Sequence, residues 1–152
     1  MYDKRIFSVM EIIIHIETKK IDKTMQLAID EYVKRTSPFC KVIIKTYKKL
    51  DKINTKTGSK IYNVLPGSNS PSSEGFAAII QANNLKGISC IEFIITSMQE
   101  NGEKHASNHP FSKDVDEFNL SSFAMSPDLT TVVLTEQIYR AYTIMNNITY
   151  HK

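Results

Sequence analysis

With 152 residues, 41% of them hydrophobic and 23% charged, the chain is long enough to bury a real core and reads as one domain, 1–152. Its net charge of +3 permits an RNA partner without requiring one, because nucleic-acid binding depends on clustered rather than total charge. The longest apolar stretches, Met10 to Ile16 and Ile88 to Ile95, are strand-sized and broken by Glu11, His15 and Glu92, which excludes a membrane span within them.

Residues 9 to 16, VMEIIIHI, are rich in β-branched side chains and predict a buried strand, with MYDKRIFS as its extension. This N-terminal stretch lacks the apolar run of a secretory signal. Ile21, Met25, Ala28, Ile29, Tyr32 and Val33 recur at three- and four-residue spacing and predict an amphipathic helix over 21–35. Asp22 favours its start, Lys34 and Arg35 its end, and Ser37-Pro38 stops it. Residues 40 to 47 predict a second strand, followed by a basic run, Lys48 to Thr57, with four lysines in ten residues and the character of a solvated loop. Ile61 to Leu65 is too short for periodicity to separate a strand from a helical turn.

The turn-rich segment 66–73 ends in Ser72 and Ser73, either of which can cap a helix from Glu74 to Leu85 that closes at Lys86-Gly87. Ile88 to Ile95 predicts a strand, 97–118 is polar and irregular, and Leu129 to Met145 predicts a long helix whose pattern leads into the end Tyr150-His151-Lys152. The order of elements is that of an α/β domain with a mostly parallel sheet. Cys40 and Cys90 lie in apolar runs, where cysteine packs as a small hydrophobe; a cytoplasmic protein with reduced thiols is expected.

Several segments carry a family resemblance. QLAIDEYVKRTSPFCKVII from Gln26 to Ile44, SSEGFA from Ser72, IEFII from Ile91, LSSFAMSP from Leu120, EQIYRA from Glu136 and the final YHK resemble the RlmH-type methyltransferases of the SPOUT class. The likeness covers nearly the whole chain from about Met10. It implies an α/β fold with a mostly parallel sheet and a C-terminal trefoil knot, an exception to unknotted topology. It also implies S-adenosylmethionine as methyl donor, a pseudouridine in the helix 69 loop of large-subunit ribosomal RNA as substrate, and a homodimer whose sites are completed by the partner's tail. The partner is then this RNA or the assembled ribosome, with neither DNA nor a membrane expected. The resemblance places the cofactor against Ile95, Thr96 and Ser97 and against Leu120, Ser121, Ser122, Phe123, Ala124 and Met125. It gives the catalytic roles to His151, Tyr150 and Arg140.

The departures gather where the family does its chemistry. The family's glycine-rich turn after the Ile91 to Ile95 strand reads here Thr96-Ser97-Met98-Gln99-Glu100, so side chains occupy space where glycine would admit a cofactor. Before Ser72 the chain is short: either KTGSKIYNVLP is the family's helix and a strand is missing, or Ile61 to Leu65 is the strand and the helix is missing. After Pro127 the family's histidine and arginine give way to Asp128, Leu129, Thr130 and Thr131, and Asp128 suits helix capping.

N3-methylation of a pseudouridine requires the ring nitrogen to lose its proton while the methyl group is presented in line. His151 has the pKa range for that proton, with Tyr150 and Lys152 holding the base; the ordinary alternative is a tail packed across a dimer interface. Arg140 has i, i+4 spacing to Glu136 for an ion pair, with an RNA phosphate as the rival partner. His105 and His109 share zinc-site spacing, but Gly102 and Pro110 argue against a helix there and no third ligand is evident. His15 reads as a packed or edge histidine. Two functions follow: an active ribosomal RNA methyltransferase, or a diverged paralogue that keeps fold and dimer as an RNA- or ribosome-binding module.

Overall fold

The computed structural model describes residues 9–97 and 114–150. Five strands, β1 (Glu11–Glu17), β2 (Lys41–Tyr47), β3 (Lys60–Val64), β4 (Cys90–Ile95) and β5 (Val115–Phe118), form one sheet in the order β2-β1-β4-β3-β5. Every pairing is parallel, with Ile14 opposite Ile44 and Phe93, and Tyr62 opposite Phe93 and Asp116. The helices are α1 (Lys23–Thr36), α2 (Ser73–Leu85) and α3 (Pro127–Met145).

The helices begin and end where side chains satisfy their free backbone groups. Asp22 accepts from the N–H groups of Thr24 and Met25, Ser72 from that of Gly75, and Ser126 from that of Leu129. Ser126 therefore caps α3. Asp128 sits in the first turn, accepting from the Leu129 N–H and the Ser126 hydroxyl, which holds its carboxyl below the ordinary value. After α2, Gly87 takes φ +83°, which glycine adopts without strain. At the far end the chain does not run straight on from α3. Asn147 turns it at φ 54°, the Ile148 N–H closes on the Thr143 carbonyl at 2.8 Å, and Tyr150 folds back along the helix.

The steps from β1 to β2 and from β3 to β4 cross the sheet in the same direction, so right-handed crossovers place α1 and α2 on one face. There Ile12, Ile14, Ile16, Phe93 and Phe118 meet Ile29, Phe76, Leu134 and Ile138 in one apolar core. The step from β2 to β3 runs the opposite way and crosses the other face. It does so as a strap, residues 48–59, whose one regular feature is a 3-10 turn at Leu50–Lys52. Leu50 and Ile53 pack there on Ile94, beside Tyr47 and Ile61.

This decides between the two ways of reading the short middle. Lys60–Val64 is a strand, bonded on both sides by β4 and β5, and no α-helix lies between it and β2, so the element the resemblance leads one to miss is the helix. Strand β5, inside the stretch whose pattern is irregular, is a further difference; its four residues, VDEF, hold too little apolar pattern to register as a strand.

Beneath the strap lies a buried polar chain. The Tyr47 hydroxyl is 3.0 Å from His15 Nδ1, and His15 Nε2 is 2.8 Å from Glu92 Oε1, with both side chains fully buried. The other Glu92 oxygen accepts from the Lys56 backbone N–H at 2.9 Å and from the Ser59 hydroxyl. Burial pushes the Glu92 carboxyl up, but the hydrogen bonds from His15, Ser59 and Lys56 together outweigh it and hold the group below its ordinary value. Both cysteines are buried, and burial pushes each thiol up to about 11, as befits packing residues.

Candidate active site

Parallel sheets bind ligands beyond the carboxyl ends of their strands, where the loops diverge. Here the ends of β3, β4 and β5 meet the loop 119–126 and the start of α3 around a narrow cleft. Val64, Leu65 and Pro66 form one wall, Ile95 and Thr96 the next, and Leu120, Ser121, Phe123 and Met125 the third, with Thr130 closing the helix side. The enclosed space amounts to about 40 Å³, and the cleft opens to solvent beyond it.

Two of these walls are tied together by backbone. The Leu65 N–H donates to the Phe118 carbonyl at 3.0 Å and the Gly67 N–H to the Ser121 carbonyl at 3.1 Å, which continues the β3–β5 pairing past the sheet. Asn119, buried, locks the pair: its amide donates to the Leu65 carbonyl at 3.0 Å and its oxygen accepts from the Asn69 N–H at 3.3 Å. The Asn119 side chain lies where a Cβ on residue 67 would be, so only glycine fits there. Asn119 and Gly67 are site-building residues that the sequence did not reveal, although the Pro66-Gly67 pair marked a turn.

The remaining wall, Ile95 and Thr96, is held differently. One carboxylate oxygen of Glu17, at the end of β1, accepts from the Ser97 N–H at 3.2 Å and the Ser97 hydroxyl at 2.5 Å, while the other accepts from the Leu50 N–H at 3.2 Å. Where the resemblance leads one to expect a glycine-rich turn, a carboxylate from a neighbouring strand fastens the chain instead. Met98 to Glu100, which complete that turn, lie outside the described residues, as do His105 and His109.

Of the nine expected cofactor-contacting residues, Ile95, Thr96, Leu120, Ser121, Phe123 and Met125 line the cleft. Ser97 is turned onto Glu17, and Ser122 and Ala124 are exposed outside the lining. The expected catalytic residues lie elsewhere. Arg140 is ten residues along α3 from Thr130, roughly 15 Å at 1.5 Å per residue. Its guanidinium bonds Glu136 at 2.7 and 3.0 Å, the Tyr150 ring stacks on it at 4.6 Å, and the Tyr150 hydroxyl donates to Glu136 at 3.0 Å. Burial and the bond to Glu136 push the Tyr150 phenol up to about 12, so it stays neutral at ordinary pH. His151 and Lys152 lie outside the described residues.

Thr130 and Thr131, in the segment where the resemblance leads one to expect basic residues, have an internal role. Thr130 and Thr131 are buried and donate to the carbonyls of Ser126 and Pro127 at 2.8 and 2.7 Å, so neither faces a phosphate. Among the described residues no three metal-ligating side chains come together, and no helix is long and apolar enough to cross a membrane.

Comparison with known proteins agrees with this arrangement. A family model described as predicted SPOUT methyltransferase matches residues 10–151. The chain belongs to this family. Among curated relatives it is 33% identical over 135 residues to ribosomal RNA large subunit methyltransferase H 1 of Thermoanaerobacter sp. (strain X514), covering 88% of this chain and 92% of that protein. It is 34% identical over 164 residues to ribosomal RNA large subunit methyltransferase H of Clostridium novyi (strain NT), covering 94% of this chain and all of that protein. The same-named protein of Clostridium botulinum (strain Loch Maree / Type A3) is 30% identical. The SPOUT assignment and the RlmH-type resemblance of the sequence therefore coincide, and they coincide on a chain whose sheet is α/β and parallel throughout.

Proposed function

We propose that this protein is an S-adenosylmethionine-dependent methyltransferase of large-subunit ribosomal RNA, acting on a pseudouridine of the helix 69 loop as a cytoplasmic homodimer. The observation that carries the reading is the cleft: three parallel strand ends and the Leu120–Met125 loop enclose an apolar space in a chain of a methyltransferase family. The chemistry of its walls suits a nucleoside-like ligand, most of which would lie in the open mouth beyond the enclosed 40 Å³. Leu65, Ile95, Leu120 and Met125 offer apolar surface to a base, and Ser121 and Thr96 add polar groups at the rim. When bound, the donor supplies an electrophilic methyl group. This chain orients it through the Asn119-locked walls and limits water around it with the apolar lining.

Because Tyr150 and Arg140 sit about 15 Å along α3 from their own cleft, they serve a cleft only if a second copy brings them to it, which is why the dimer belongs to the proposal. In that arrangement His151 takes the ring proton, while Tyr150 and Arg140, braced on Glu136, hold the tail in place. The C-terminal trefoil knot implied by the resemblance is part of the same proposal.

The second reading, a paralogue that keeps the scaffold without the donor, is favoured by one observation. Thr96 and Ser97 stand in place of glycine, and Ser97 is fastened to Glu17. Calorimetric titration with S-adenosylmethionine and S-adenosylhomocysteine separates the two. Micromolar binding supports the enzyme, and no heat at millimolar ligand from folded dimer supports the scaffold. In an active enzyme, His151→Ala should abolish methyl transfer to ribosomes while sedimentation still reports a dimer; retained turnover would remove the role given to His151.

A further inference from the structure

We infer that the edge of the sheet next to the cleft is a phosphate-binding track for RNA, made by Lys19, Lys20 and Lys23 after β1 and Lys48, Lys49 and Lys52 after β2. In an all-parallel sheet every strand ends at the same edge, and the β1–β2 pairing runs in register from Glu11–Lys41 to Glu17–Tyr47. The two following loops therefore start side by side, joined by the Thr18 N–H donating to the Tyr47 carbonyl at 2.9 Å. Neighbouring strands lie about 5 Å apart, so the two sets of lysines form one patch rather than two. All six are exposed.

The charge there is concentrated. Segments 17–23 and 48–52 hold six lysines against Glu17, Asp22 and Asp51, a net of +3, equal to the formal charge of the whole chain. Two of those three acids are engaged with the protein itself: Glu17 binds Ser97 and Leu50, and Asp22 caps α1. Four other cations pair with carboxylates, Lys56 with Glu11, Lys60 with Asp116, Arg35 with Glu31 and Arg140 with Glu136, while Lys34, Lys41, Lys45 and Lys86 are exposed without such a pair among the described residues but lie away from the cleft edge. Among the described residues none of the six edge lysines has such a partner. Lysine is depleted from the cores of protein–protein interfaces, whereas strings of exposed lysine suit a polyanion. At the cleft on the same edge Phe123 is 78% exposed, an aromatic surface on which a base can stack. The choice of RNA over other polyanions rests on the methyl-transfer reading, because the patch flanks the cleft where that substrate would react.

The test is fluorescence anisotropy of a labelled short RNA stem-loop with the full chain over a salt series. Lys19→Gln/Lys20→Gln/Lys23→Gln and Lys48→Gln/Lys49→Gln/Lys52→Gln should each lower the slope of log K against log salt by roughly two to three, at about 0.9 per lost phosphate contact. A matched triple at the opposite edge, Lys34→Gln/Lys41→Gln/Lys86→Gln, removes the same charge and should leave the slope unchanged. Single Lys20→Gln and Lys48→Gln variants, each expected to lower the slope by about one, replace any triple that melts early. Equal losses from both edges, no loss from the cleft edge, or tighter binding of a polyglutamate peptide than of RNA would overturn the inference. Donor titration of the same preparations keeps the two proposals apart. Donor binding without an edge-dependent slope defeats the track alone, and an edge-dependent slope without donor binding defeats the methyl-transfer reading alone.

Discussion

One face of the sheet is covered by three helices and an aromatic cluster, the other by a twelve-residue strap lying over a histidine and a glutamate. On the helical face, order comes from shape: Phe76, Phe93 and Phe118 interlock with ring centroids 5.2 to 6.2 Å apart, and no charge is involved. On the strap face, where no α-helix lies between β2 and β3, fewer apolar side chains pack on the sheet, and polar bonds take over. Glu11, Glu17 and Glu92 each reach the strap, through Lys56 Nζ, the Leu50 N–H, and the Lys56 N–H with the Ser59 hydroxyl respectively. A short segment without regular structure can hold a fixed path over a sheet if its backbone donors find carboxylates there.

The faces should therefore fail differently. The largest effect is expected on the helical face: Phe93→Ala, removing a ring that is 1% exposed, should cost about 3–5 kcal/mol. Urea unfolding should show that loss to be the same at every pH where the protein folds. A loss that varies with pH would mean the two faces are energetically coupled.

Glu92→Gln comes next, at roughly 1–3 kcal/mol, because the strap's donors and His15 lose a charged acceptor while the volume is kept. Its signature is pH. A carboxyl held below its unfolded value contributes stability that is full above that value and is lost as pH falls through the folded one. The wild-type unfolding midpoint should thus drop on acidification below about pH 4, and the Gln variant should show a flatter acid limb. An identical acid limb in both proteins would place the acid-labile group elsewhere. Replacing both partners, His15→Leu with Glu92→Leu, should recover part of the loss but not all of it, since the Lys56 N–H would still lack its acceptor.

The contrast between faces also explains what the sequence disclosed. The helical face was legible because its elements carry repeating patterns: the spacing of Met25, Ile29 and Val33 gave α1, and the β-branched runs gave β1 and β4. The strap face was not. His15 reads as a packed or edge histidine and is packed, on a strand inside the sheet, but its partner Glu92 lies 77 residues away, and nothing local marks the pair. Lys48 to Thr57 read as a solvated loop, and its lysines are indeed exposed, yet Leu50 and Ile53 beneath them are buried. In the cleft, the loop residues Leu120 to Met125 were legible through resemblance alone. Asn119 and Gly67 act through a contact across 52 residues that no motif encodes. Glu17, at the end of a strand, gave no sign that it would hold Ser97, 80 residues on.

Glu17 is where the two faces and the cleft meet, and its substitution gives the smallest and sharpest of these effects. The strap begins on one of its oxygens and the Thr96-Ser97 wall hangs on the other. Glu17→Gln keeps a single, neutral oxygen acceptor of the same reach, so one tie survives weakened and the other faces an amide N–H₂ instead of an acceptor; the cost should be about 1 kcal/mol. Hydrogen exchange resolves so small a change by position. If the carboxylate couples strap and wall, the Leu50 and Ser97 amides should both exchange faster in the variant, by up to about five-fold, while the Lys56 amide on Glu92 keeps its wild-type rate. Faster exchange at Leu50 alone would show that the wall stands without Glu17. The path of Thr96 and Ser97 would then owe nothing to the strand beside it.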